Sequence, residues 1–148
     1  MKKNIEEVGK FVIKTEASAL AKLACDLPKD FLGAIEAILN TKGRVVVSGV
    51  GKSGHVGRKI AATLASTGTP ASFVHSTEAS HGDLGMITAQ DVLLILSHSG
   101  ETSETLNLLN YCNKRSIPII AVCGRQHSRL AQSARIVLNT HVEKEAGP

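Results

Sequence analysis

The 148-residue chain is long enough for one domain whose core needs neither disulfides nor a structural metal. Its 43% apolar and 20% charged residues exclude a disordered, collagen-like or mucin-like chain. The net charge of +4 comes from seventeen scattered Lys and Arg beside only three Phe and one Tyr, which argues against a nucleic-acid stacking surface.

No apolar run approaches the roughly 20 residues a membrane span requires. The N-terminal stretch MKKNIEEVGKFVIK mixes Glu, Asn and Gly where a signal peptide carries an apolar block, so a cytoplasmic protein is expected. Cys25, Cys112 and Cys123 form no C-x-x-C pair and are expected as reduced, buried thiols.

In chain order, Ile5, Val8, Val12, Ala19, Leu23 and Leu27 recur at helical spacing and predict a packing helix over 4–27. Pro28 ends it, and Phe31, Leu32, Ile35 and Ile38 mark a second helix over 29–40 that stops before Gly43. Residues 1–42 are therefore read as N-terminal helices packing on a domain that occupies 43–148.

Five β-branched runs follow, at 44–48, 71–75, 92–96, 117–123 and 135–138, separated by helical stretches. They are apolar throughout rather than alternating, the pattern of strands covered by helices on both faces, so an α/β fold with a doubly wound, five-stranded parallel sheet is predicted. Ligands in such sheets lie beyond the carboxyl ends of the strands.

After the first strand, Ser48-Gly49-Val50-Gly51-Lys52-Ser53-Gly54 opens a helix. Glycines let backbone amides approach an anion, and the helix N-terminus adds its positive dipole end. A nucleotide P-loop is rejected because Val46 stands where its first Gly is required. Gly49, Gly51 and Gly54 satisfy G-x-G-x-x-G, but Val74, His75 and Ser76 occupy the place of the ribose-binding acid, so a dinucleotide site ranks lowest. A plain strand-to-helix turn is the bland alternative.

After the second strand lies His75-Ser76-Thr77-Glu78-Ala79-Ser80-His81-Gly82-Asp83. His75 and His81 do not share a helix face and alone make no zinc site, although zinc at His75 stays open as an alternative. After the third strand comes Ser97-His98-Ser99-Gly100-Glu101-Thr102-Ser103-Glu104. Its hydroxyls and free amides suit a phosphate held reversibly, whereas one such loop alone would read as a Ser N-cap. Two of them on neighbouring strands favour a shared anion site.

The segments VVVSGVGKSGHVGRKIAATLASTGTPASFVH, EASHGDLGMIT, SHSGETSE and PIIAVCGR resemble, in order and spacing, the sugar isomerase (SIS) domain, and within it the D-arabinose 5-phosphate isomerases. The resemblance implies a Rossmann-like or flavodoxin-like three-layer sandwich that interconverts ribulose 5-phosphate and arabinose 5-phosphate for lipopolysaccharide or capsule sugar acid synthesis. It implies a small-molecule sugar phosphate partner, no required cofactor, and a homo-oligomer, dimer or tetramer.

By that resemblance Ser53, Ser97, Ser99 and Thr102 hold the phosphate, while Gly68, Thr69, His75 and His81 line the sugar. Lys52, Glu104 and Glu145 match positions needed for catalysis. Glu104 or Glu145, with a pKa raised by enclosure, would carry the proton. Lys52 would stabilise the oxyanion or simply touch phosphate, and His81 would hydrogen-bond a hydroxyl or carbonyl.

The sequence departs from the family pattern at His98, where Asn is usual, at His75-Ser76-Thr77 in place of His-Pro-Gly, and at Gly147 in place of Cys. The family continues beyond KEAGP into further helices and a pair of CBS domains, so 43–148 is read as C-terminally incomplete. The alternative function is a non-catalytic, sugar-phosphate-sensing SIS module.

Overall fold

Five short apolar strands alternate with helices in a computed structural model that describes residues 4–79 and 82–147. Helices α1 (Ile5–Cys25) and α2 (Phe31–Leu39) precede β1 (Val45–Gly49), α3 (Gly51–Ser66), β2 (Ala71–His75) and a single turn, α4 (Ser76–Ala79). A 3-10 turn (Asp83–Met86), β3 (Val92–Leu96), α5 (Ser103–Lys114), β4 (Ile119–Cys123), α6 (Arg129–Ser133) and β5 (Ile136–Asn139) complete the chain. Every expected strand is present with its bounds moved by two residues or fewer. The turns at 76–79 and 83–86 replace what the sequence presented as plain loop.

All pairings are parallel, in the order β2-β1-β3-β4-β5. Strand alternation sends Val46, Leu93, Ile95, Ile119 and Ala121 to one face, where they pack on Leu108, Leu109 and Cys112 of α5 and Leu130 of α6. Val45, Val47, Leu94, Leu96 and Ile120 point the other way, onto Ala34 of α2 and Ala61 of α3. Both faces are covered, which is why these strands lack polar alternation.

Helix α1 buries none of its side chains within this chain. Val12, Thr15, Ala19 and Leu23 form a half-buried side, while Ile13 and Leu20 on the other are each 67% exposed. Lys22 pairs with Glu143 at 3.1 Å, and the Lys144 ammonium lies 5.0 Å above the Phe11 ring, so the segment after β5 lies against this helix.

The thiols divide. Cys112 and Cys123 are buried as expected, and burial pushes the Cys112 thiol up to about 12. Cys25 is exposed, against expectation, because it ends a helix that contributes nothing to the core. None of the described helices is long and apolar enough to cross a membrane.

Candidate functional site

The strand order reverses between β1 and β3, and the loops leaving the carboxyl ends of these neighbours diverge to opposite faces. Such a switch point leaves a crevice at the sheet edge. Here it is a hollow of about 240 Å³, lined from the first loop by Val50 and Ser53 and from the second by Leu96, Ser97, His98, Ser99, Thr102 and Thr105.

Two close approaches bring the first loop into place. A Cβ on Gly49 would stand 3.0 Å from the Ser53 carbonyl carbon and 3.1 Å from the Leu96 oxygen, and one on Gly54 would stand 3.0 Å from the Gly49 oxygen. These contacts are tighter than a Cβ ordinarily makes, and glycine lets α3 start directly against the ends of β1 and β3. Val50, in extended conformation, gives the helix no side-chain cap, and the first amides of a helix have no partner inside it.

The second loop is fastened by its own side chains. Ser97 Oγ accepts the Gly100 amide at 3.1 Å and lies 3.5 Å from Thr102 Oγ1, and Ser99 Oγ accepts the Glu101 amide at 3.3 Å. Gly100 takes φ +65° with its Cα packed against the Ser128 side chain, where no Cβ fits. Its carbonyl accepts the Leu130 amide at 3.1 Å. The Glu101 carboxylate bridges to α6, and hydrogen bonds from the Arg129 side chain and then its amide hold it below the usual carboxylate range. At the hollow's rim, His98 packs its ring against Gly124, whose amide donates to the His98 carbonyl at 3.1 Å.

Thr102 is the N-cap residue of α5 yet makes no side-chain cap bond. The hollow is thus lined by five hydroxyl residues, Ser53, Ser97, Ser99, Thr102 and Thr105, beside two helix N-termini. Hydroxyl donors and uncapped amides at the positive ends of two dipoles suit a small dianion.

Next to the hollow, β2 flanks β1 on its other side. His75 ends β2, its Nδ1 accepting the Thr77 amide at 3.3 Å and its ring edge-on to Phe73 with centroids 6.4 Å apart. Beneath it, Ser48 Oγ donates to the Val74 carbonyl at 2.6 Å and lies 2.9 Å from Ser76 Oγ.

Glu104, in the first turn of α5, accepts the Ser103 hydroxyl at 2.9 Å. Its own backbone amide and then that hydroxyl lower its pKa, with a further contribution from the charge His75 carries when protonated. The expectation that enclosure raises this carboxyl is therefore corrected, because local donors outweigh desolvation.

Among the described residues, His75, Glu104, Lys52, Gly68, Thr69 and Glu145 do not line the hollow. Lys52 is exposed on the first turn of α3 and is not among the lining residues. Gly68 and Thr69 precede β2 and so stand at the amino edge of the sheet, a strand length of roughly 16 Å from the carboxyl edge. A small sugar in this hollow does not reach them within one chain. Glu145 follows β5 and is exposed, with β4 intervening between β5 and β3. His81 lies outside the described residues. Among the described residues no three His, Cys, Asp or Glu cluster as a metal site, at His75 or elsewhere.

Sequence reasoning passed over Val50, Leu96, His98 and Thr105 as lining residues. Thr105 had a legible signal: it is the third residue of a helix opened by a hydroxyl-rich loop.

This arrangement coincides with a known pattern, for the SIS domain family model matches residues 38–148. The chain belongs to the SIS domain family. It is 47% identical over 145 residues to the arabinose 5-phosphate isomerase KdsD of Shigella flexneri, covering 98% of this chain and 44% of the relative. With KdsD of Pseudomonas aeruginosa the identity is 52% over 136 residues, covering 92% of this chain and 42% of the relative. The structure of E. coli CFT073 c3406 in complex with arabinose 5-phosphate superposes with a TM-score of 0.91 at 40% identity, over 97% of this chain and 76% of that one. This SIS chain thus spans less than half the length of the curated relatives it matches.

Proposed function

We propose that this SIS domain is the isomerase unit of an enzyme interconverting D-ribulose 5-phosphate and D-arabinose 5-phosphate, serving lipopolysaccharide or capsule sugar acid synthesis. The observation that carries the reading is the shared hollow: Ser53 from one loop and Ser97, Ser99 and Thr102 from the other meet at the switch point. The identity of 46–52% to KdsD isomerases over nearly the whole chain supports the pentose phosphate as substrate.

In this reading the four hydroxyls and nearby amides hold the phosphate, and His75 and His81 contact the sugar. A base removes a proton from C1 of the ketose, and the electron pair forms the C1–C2 double bond of an enediolate. Reprotonation at C2 and transfer of the O1 proton to O2 give the aldose. Hydrogen only moves within one molecule, so the reaction needs no redox cofactor. Glu104 serves as the base, supported by its place in the first turn of α5, directly after the loop that carries Ser97 and Ser99. Lys52 supplies positive charge toward the oxyanion, and Glu145 is the second carboxylate in reserve. We propose further that the protein is cytoplasmic and assembles with copies of itself, a reading supported by the exposed Ile5, Leu20, Leu32 and Leu39.

The test is incubation with ribulose 5-phosphate and assay for arabinose 5-phosphate. Conversion abolished by Glu104→Gln supports the proposal, and a folded protein that binds but does not convert contradicts it. That second outcome is the signature of a non-catalytic sensing module, a reading favoured by the place of Glu145 after β5, with β4 between that strand and β3.

A further inference from the structure

Thr105 lies in the first turn of α5 and is 1% exposed. Its hydroxyl finds no hydrogen-bond partner among the described residues, yet the residue lines the hollow between the two loops. A helical Thr ordinarily satisfies its Oγ1 on the carbonyl three or four residues back. Here the carbonyl three residues back, that of Thr102, accepts the Leu106 amide, and the Thr105 hydroxyl makes neither bond. An orphaned buried hydroxyl is costly, and such groups in native proteins call for an explanation.

The cavity that Thr105 lines is the hollow itself. Ser97, Ser99 and Thr102 stand around it, and Ser97 and Ser99 already accept loop amides. Thr105 is the one buried hydroxyl of the set with no hydrogen-bond partner among the described residues. We propose that Thr105 is a further ligand-binding residue, donating its hydroxyl to a phosphate oxygen from the inner wall of the hollow. The free protein keeps the group unpaired, and the ligand supplies its partner. This rests on reading the hollow as a phosphate site.

The two roles of a buried hydroxyl separate under isosteric replacement. Thr105→Val keeps shape and branching but removes the donor, and Thr105→Ser keeps the donor. With inorganic phosphate as the probe, followed by the rise in Tm with concentration, Thr105→Val binds about tenfold more weakly than the parent chain, the loss expected for one hydrogen bond to a charged group. Thr105→Ser binds within about twofold of the parent on the same grounds. Without phosphate, Thr105→Val melts at the same temperature as the parent or higher, because it removes an unsatisfied group.

Unchanged phosphate affinity in Thr105→Val overturns the inference. So does a lower melting point of the free variant with affinity intact, which would reveal an internal partner. A parent chain that binds neither inorganic phosphate nor arabinose 5-phosphate removes the phosphate reading and this inference together. A parent chain that binds both but converts no pentose phosphate sinks the isomerase proposal and leaves Thr105 in place.

Discussion

Glu101 reaches from the serine loop to Arg129, taking the Arg129 amide at 2.8 Å on one oxygen and its Nε at 2.7 Å on the other. This clasp ties the loop that lines the hollow to the start of α6, and it acts beside the Gly100 to Leu130 hydrogen bond. Both groups are largely exposed, so the pairing serves loop placement more than global stability.

Glu101→Gln is therefore expected to leave the melting temperature at neutral pH nearly unchanged while weakening phosphate binding several-fold. Because the folded protein lowers this carboxyl, the clasp is fully present above the ordinary carboxylate range and is lost as pH falls through the lowered value. Phosphate affinity in the parent should accordingly decline at acid pH more than in Glu101→Gln, as titrations at several pH values would reveal.

Gly54→Ala tests the close approach of α3 to β1. The added Cβ would stand 3.0 Å from the Gly49 oxygen and must push the helix start outward. Overpacking of this kind costs about 1–3 kcal/mol, and here the displacement falls on the loop carrying Ser53. Thermal unfolding and phosphate titration should both deteriorate; a variant altered in neither would show that the two loops do not depend on this contact.

Asp91 offers the contrasting case at the opposite edge of the sheet. It is 3% exposed and accepts the Arg44 amide at 2.9 Å, the Thr88 amide at 2.7 Å and the Thr88 hydroxyl at 3.0 Å. Burial raises its pKa, but these donors outweigh it and the net shift is downward. Asp91→Ala strands two amides and should cost about 2–3 kcal/mol in chemical denaturation. Sites at opposite ends of the strands are independent, so phosphate affinity measured below the unfolding transition should stay within about twofold.

Much of this was legible in the residues. Strands such as Val92–Leu96 announced themselves by being apolar at every position, and the loops after β1 and β3 by Gly and Ser next to a helix start. What the sequence could not convey was the depth of a side chain at a helix start. Thr105 is one hydroxyl among several in its neighbourhood, and only the packing of α5 against the sheet makes it buried and unpaired. The place of Gly68 and Thr69 before the strand at 71–75 was legible too, and it was the family resemblance, not the spacing, that assigned them to the sugar. The downward shift of Glu104 arises from its own amide and Ser103, local donors that a reading based on enclosure overlooks.

Central to the proposed function is that both loops grip one anion. The direct measurement is a titration of the nitrogen-15-labelled chain with arabinose 5-phosphate, following backbone amides by NMR. Amides of residues 51–54 and of residues 97–105 should shift together along curves that share one dissociation constant. Movement confined to one loop, or two loops saturating at different concentrations, would contradict it.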